Sequence, residues 1–181
     1  MQVRQVRLIA SHGYSLVELC VCVAIVGILL ALALPSLERI RQRQRLEAIA
    51  ATLFTDLQEA RSLAVSRADT VQVRFNRHPN GTCYILHTGA AGDCQCDAGG
   101  LAVCANTDKV LKLAWIPKTN KVELRANIAS FSFQARQGAV TSTGSIDVNA
   151  SSGESIRHIV SIAGRVRTCT PSADMGQYPR C

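Results

Sequence analysis

Gly13-Tyr14-Ser15-Leu16-Val17-Glu18-Leu19, continuing without a charged side chain to Leu37, is the stretch from which the chain is best read. Leu19 to Leu37 is a run of 19 uncharged residues, which as a helix spans roughly 29 Å, about the thickness of a bilayer core. A short polar leader with Arg4, Arg7 and His12 precedes it, the arrangement of a segment whose N-terminus stays in the cytoplasm. Glu18 is the anomaly. A carboxylate costs on the order of 3 kcal/mol near a bilayer centre and less near its edge, so its presence calls for a partner or a function. A cut after Gly13 makes Glu18 the fifth residue of the mature chain, within reach of a neighbouring subunit's new amine. A signal peptide cut near Ala31-Leu32-Ala33 is the rival reading, but its apolar region has no use for a carboxylate. Arg39, Arg41, Arg43 and Arg45 follow the run and oppose this orientation under the positive-inside rule. The cysteines further on favour an outside, oxidising location for the rest of the chain.

This segment resembles the processing and assembly motif of type IV pilins and type II secretion pseudopilins. The resemblance implies that a prepilin peptidase cleaves between Gly13 and Tyr14, that Tyr14 is N-methylated and that Glu18 guides filament assembly. It also implies a single-pass inner-membrane precursor with a periplasmic head, later built with other pilin subunits into a pilus or pseudopilus at the cell surface. Family members more often carry Phe where this chain has Tyr14.

Downstream of Pro35, which kinks a helix without having to end it, Leu46, Ile49, Leu53, Leu57, Ala60 and Ala64 recur at intervals of three and four. They predict an amphipathic helix to about Arg67. Beyond Asp69 the pattern changes to short alternating segments: Thr70–Phe75, Thr82–His87, Lys109–Trp115, Val122–Arg125, Ser130–Gln134, Gly144–Val148, Ile156–Ile162 and Arg165–Cys169. These read as strands, with Asn80-Gly81 and Thr119-Asn120 at turns. The expected architecture is α+β, a long pilin-like N-terminal helix packed on an antiparallel β-sheet head. Its expected parts are a leader (1–13), a transmembrane and filament-core helix (14–37), an amphipathic second half (38–68) and a β-rich head (69–181).

The net charge is +7, and +5 once Arg4 and Arg7 leave with the leader. That is compatible with a polyanionic partner without requiring one. One Trp, three Tyr and four Phe supply no stacking platform for single-stranded nucleic acid. Cys169 and Cys181 are spaced to close a loop worth roughly 3 kcal/mol. Cys83, Cys94, Cys96 and Cys104 allow three pairings that sequence does not rank. They sit in or beside a Gly, Ala and Cys-rich insertion, Gly89–Asn106, read as stapled to itself. A zinc site from these thiols and His87 is the lesser reading, since structural zinc ligands are usually two to four residues apart. No metal or other cofactor is expected. Four scattered histidines offer no acid and nucleophile arrangement, so an enzyme is not expected.

The C-terminal stretch contains Gly164-Arg165-Val166-Arg167. In a strand, Arg165 and Arg167 project from one face and Val166 from the other, while Gly164 permits a turn that brings backbone amides close to a ligand. Two guanidinium forks on one face suit paired hydrogen bonds to phosphate. This motif, with Phe133-x4-Gly138 and Gly144-Ser145-Ile146, resembles the FimT and GspH branch of pilin-like proteins. In the FimT type, Gly-Arg-x-Arg is associated with DNA binding during natural transformation. The resemblance implies a competence minor pilin whose Gly164, Arg165 and Arg167 hold the DNA backbone without reading sequence. Lys118, Lys121, Arg136 and Arg157 are candidate auxiliary contacts. The alternative is a structural minor pilin or GspH-like pseudopilin that primes or caps a filament and touches only protein.

Overall fold

The computed structural model describes residues 15–105, 109–172 and 175–181, with the side chains of 32–36 outside the description. The chain divides into two compact units between Glu38 and Arg39. Helix α1, Leu16–Ser66, contributes to both. Ser15 caps it: the hydroxyl accepts the Glu18 N–H at 3.2 Å. This Ser-x-x-Glu spacing satisfies an orphan amide of the first turn and places a carboxylate where the helix favours negative charge. The helical assignment continues through positions 32–36, so Pro35 does not end the helix. In the first unit the apolar side chains are exposed all round the helix, from Leu16 and Val17 to Ile28, Leu29 and Leu30.

From Arg39 onward the helix acquires an inside. Leu46, Ala50, Leu53, Leu57, Ala60 and Ala64, alternately four and three residues apart, are at most 1% exposed. Ile49, expected on that stripe, is only half-buried at its edge. The stripe packs into one core with residues from two four-stranded antiparallel sheets. The first sheet has the order β5-β2-β1-β7, from β1 (Val71–His78), β2 (Gly81–Thr88), β5 (Val110–Pro117) and β7 (Ser130–Phe133). The second has the order β10-β9-β8-β6, from β6 (Val122–Ala126), β8 (Gly144–Ala150), β9 (Ser155–Val160) and β10 (Val166–Cys169). Strand β8 shows why these segments form half-buried strands: Ile146 and Val148 are fully buried, whereas Ser145, Asp147 and Asn149 alternate with them on the outer face.

Two expectations are corrected here. The insertion is not stapled only to itself. It contains a short ribbon, β3 (Cys94–Cys96) paired with β4 (Ala102–Cys104), crossed by a Cys94–Cys104 disulfide, while Cys83–Cys96 anchors it to β2. Beneath it, Cys83, Ile85, Leu113 and Trp115 form a small second core. The strand expected to run to Ile162 stops at Val160, because Ser161 turns the chain: its N–H donates to Arg165 O at 3.0 Å and its hydroxyl accepts the Arg165 N–H at 3.2 Å.

Candidate functional site

Strand β10 lies at the edge of the second sheet, paired on one side with β9. Val166 points inward, 8% exposed, and Arg165 and Arg167 on either side of it are exposed. Neither guanidinium has a carboxylate partner among the described residues. The strand is held at its far end. Cys169 is disulfide-bonded to Cys181, Thr170 N–H donates to Pro179 O at 2.8 Å, and Cys181 N–H donates to Thr170 O at 3.1 Å. Met175 and Tyr178 anchor the returning tail on the core. Little chain entropy is therefore left to lose in presenting Arg167.

Gly164 acts differently from the expectation of an amide offered to a ligand. Its N–H already donates to Ser161 O at 2.8 Å. Its φ is +71°, and a Cβ there would stand 1.9 Å from Gly138 O. The glycine is required for the close approach of two backbone segments.

The four candidate auxiliaries divide. Arg136 lies at the same end of the head as Arg165: Val140 N–H donates to Ile162 O, and Arg136 N–H donates to Ala64 O in the last turns of α1. Its side chain is exposed. Arg157 is engaged elsewhere, donating from Nε and Nη2 to the Asp147 carboxylate at 2.6 and 2.9 Å, which raises its pKa. Lys121 precedes β6 at the end where Val122 pairs with Ala150, and its carbonyl accepts from Ser151. Arg165 follows the end where Val160 pairs with Gly144. The two ends are separated by about six residues, roughly 20 Å of strand. Lys118 shares the Lys121 end, in a depression with Arg77, His78 and Glu123.

One arginine in this neighbourhood carries no sequence signal. Arg61, on α1, donates from Nε to Gly138 O at 3.2 Å, and its Nε would lie 3.0 Å from a Cβ on Gly164. Only its i, i+3 and i+4 neighbours are legible in the chain, and none is part of the C-terminal motif. His158, next to Arg157 in the chain, is 1% exposed, and burial pushes its pKa down to about 4. It bridges Ala50 O and Thr168 Oγ1, which is a structural role.

At the other end of the chain, Gly13 and Tyr14 lie outside the described residues. Glu18 is exposed in the first turn of α1. Among the described residues no helix is long and apolar enough to cross a membrane. The expected span from Leu19 to Leu37 includes residues 32–36, whose side chains are outside the description. Cys20 and Cys22 are free thiols.

The family model described as "Type II transport protein GspH" matches residues 50–164. No curated protein matches the chain. Among solved structures, the type IV minor pilin FimU of Pseudomonas aeruginosa (strain PAO1) is similar, with 18% identity and a TM-score of 0.53 over 69% of this chain and 88% of that one. A second crystal form of FimU gives 16% identity and a TM-score of 0.51, over 67% and 90%. The minor pseudopilin EpsH from the type 2 secretion system of Vibrio cholerae covers 70% of this chain and 97% of its own, with 13% identity and a TM-score of 0.47. The family match takes in the buried stripe from Ala50, both sheets up to β9 and the turn at Gly164, and stops before Arg165. With a pilin-like fold of a helix packed on antiparallel sheets and a family match over most of its head, the chain belongs to the GspH family of type II transport proteins.

Proposed function

We propose that this protein is a minor pilin of a type IV pilus that binds DNA for uptake in natural transformation. Arg165 and Arg167 hold backbone phosphates. The supporting observation is that both guanidiniums are exposed, flank the inward-facing Val166, and lack a carboxylate partner among the described residues. Nothing in the site resembles a base-reading element, so binding is independent of sequence and falls with salt as condensed counterions return. The precursor is cut by prepilin peptidase between Gly13 and Tyr14 and anchored in the inner membrane through 14–37. Its uncovered apolar helix then packs among other subunits, with Glu18 guiding assembly. Of the auxiliaries, Arg136 is the exposed arginine at the Arg165 end of the head, whereas Arg157, on the same face as Arg167, is paired with Asp147.

The test is DNA binding by the full chain in detergent across a salt series. Arg165→Gln/Arg167→Gln is compared with Lys118→Gln/Lys121→Gln, which removes equal charge at the other end of the sheet. Loss of binding in the arginine variant with only weakening in the lysine variant is expected. Equal losses, or an affinity insensitive to salt, would exclude a phosphate site on β10. A second reading, a subunit that primes or caps a filament without touching DNA, draws on the family match, which stops at Gly164. It is preferred if the parent binds no DNA.

A further inference from the structure

Resting on the reading of Arg165 and Arg167 as phosphate ligands, we propose that Arg61 of α1 is a third phosphate ligand of the same site. The DNA backbone then crosses from β10 over Gly164 onto the exposed face of α1.

Arg61 is more than a nearby charge. Its Nε–H is occupied by Gly138 O, which fixes one edge of a planar group. The terminal nitrogens have no carboxylate partner among the described residues. A guanidinium held in this way loses little freedom when it binds a phosphate, and its remaining donors form a ready fork. Arg43 and Arg157 are different, each paired with a carboxylate of its own, Glu47 and Asp147, while Arg77 and Arg125 share Glu123.

The two glycines bring the arginines together. A Cβ on Gly138 would lie 3.1 Å from Arg61 Cγ, and one on Gly164 would meet both Gly138 O and Arg61 Nε. Only with both side chains absent can α1, the 134–140 loop and the turn before Arg165 close on one another. Arg61 therefore sits directly beside the residue preceding Arg165. On the solvent side it shares an open depression with Gln58, Ser62 and Ser66. Amide and hydroxyl side chains of this kind contact phosphate and sugar oxygens without reading bases. The path offered to a strand thus continues from two arginines on a sheet edge to a third on a helix.

The experiment uses the full chain in detergent micelles and a short DNA duplex of mixed sequence, with affinity measured across a salt series. Arg61→Gln is expected to weaken binding about tenfold at low salt and to reduce the slope of log affinity against log salt by about 1. Arg61→Lys, which keeps the charge but loses the fork, is expected to keep the slope and lose a few-fold in affinity. Arg43→Gln, which removes an ion-paired arginine from the same helix, is expected to leave the slope unchanged. If Arg61→Gln binds with the parent slope while Arg165→Gln/Arg167→Gln loses binding, this proposal is overturned and the reading of β10 stands. If the parent binds no DNA, both fall. Should Arg61→Gln fail to fold, Arg61→Lys decides: parent affinity in that variant overturns the proposal.

Discussion

His158 belongs to strand β9 yet does its work on α1. Ala50 O can only accept, so Nε2 carries the proton and donates to it at 3.0 Å, leaving Nδ1 to accept from the Thr168 hydroxyl at 2.9 Å. Burial holds the folded pKa near 4, against an ordinary 6.5. The unfolded chain therefore takes up a proton near pH 6.5 and the folded one only near pH 4. Stability falls as pH drops through that window, by up to about 3 kcal/mol. His87, fully buried with its pKa also lowered by burial, adds in the same direction. Denaturant unfolding at about pH 7 and about pH 4.5 should show a smaller pH-dependent loss in His158→Gln than in the parent. Equal losses would clear His158 of the role. From the sequence His158 reads as an ordinary strand residue, because Ala50 is 108 residues away.

At the scale of elements, the amphipathic stripe of α1 was legible because its period is helical and its members apolar. The polar tie that fixes the helix on the first sheet was not. Asp56 is 1% exposed; it accepts from Tyr84 Oη at 2.6 Å and from Lys112 Nζ at 2.5 Å. Burial, reinforced by that hydrogen bond, raises the Tyr84 pKa, so the phenol stays a donor. Asp56→Ala leaves the phenol buried without its acceptor, whereas Lys112, 42% exposed, can turn to water. The expected cost is about 2 kcal/mol, mostly from Tyr84. Asp56→Asn should cost less, since its amide oxygen still accepts. Urea unfolding of the two variants checks this order, and equal costs would shift the weight to the ion pair. The ribbon of β3 and β4 was illegible for another reason. Three residues per strand, Cys-Gln-Cys and Ala-Val-Cys, are too few to set a period apart from the surrounding loop, and disulfides take the place of pattern.

For the molecule as a whole, the processed form is the decisive measurement. Intact mass of chain recovered from a host with prepilin peptidase should correspond to an N-terminus at Tyr14 carrying one extra methyl group. An N-terminus near Pro35 would mark a signal-peptidase product and remove the filament helix. Local order along the chain was enough to show the α+β plan: an apolar run long enough for a bilayer, a three-and-four stripe after it, and alternating segments beyond Asp69 are periodic, and periodicity survives without tertiary contacts. The exposure of Arg165 and Arg167 around Val166 was legible for the same reason. How Cys83, Cys94, Cys96 and Cys104 pair, which arginines face carboxylates, and that Arg61 meets Gly164 through Gly138 were decided only by the tertiary structure. Each depends on close approach between segments far apart in sequence, a geometry that no local pattern encodes.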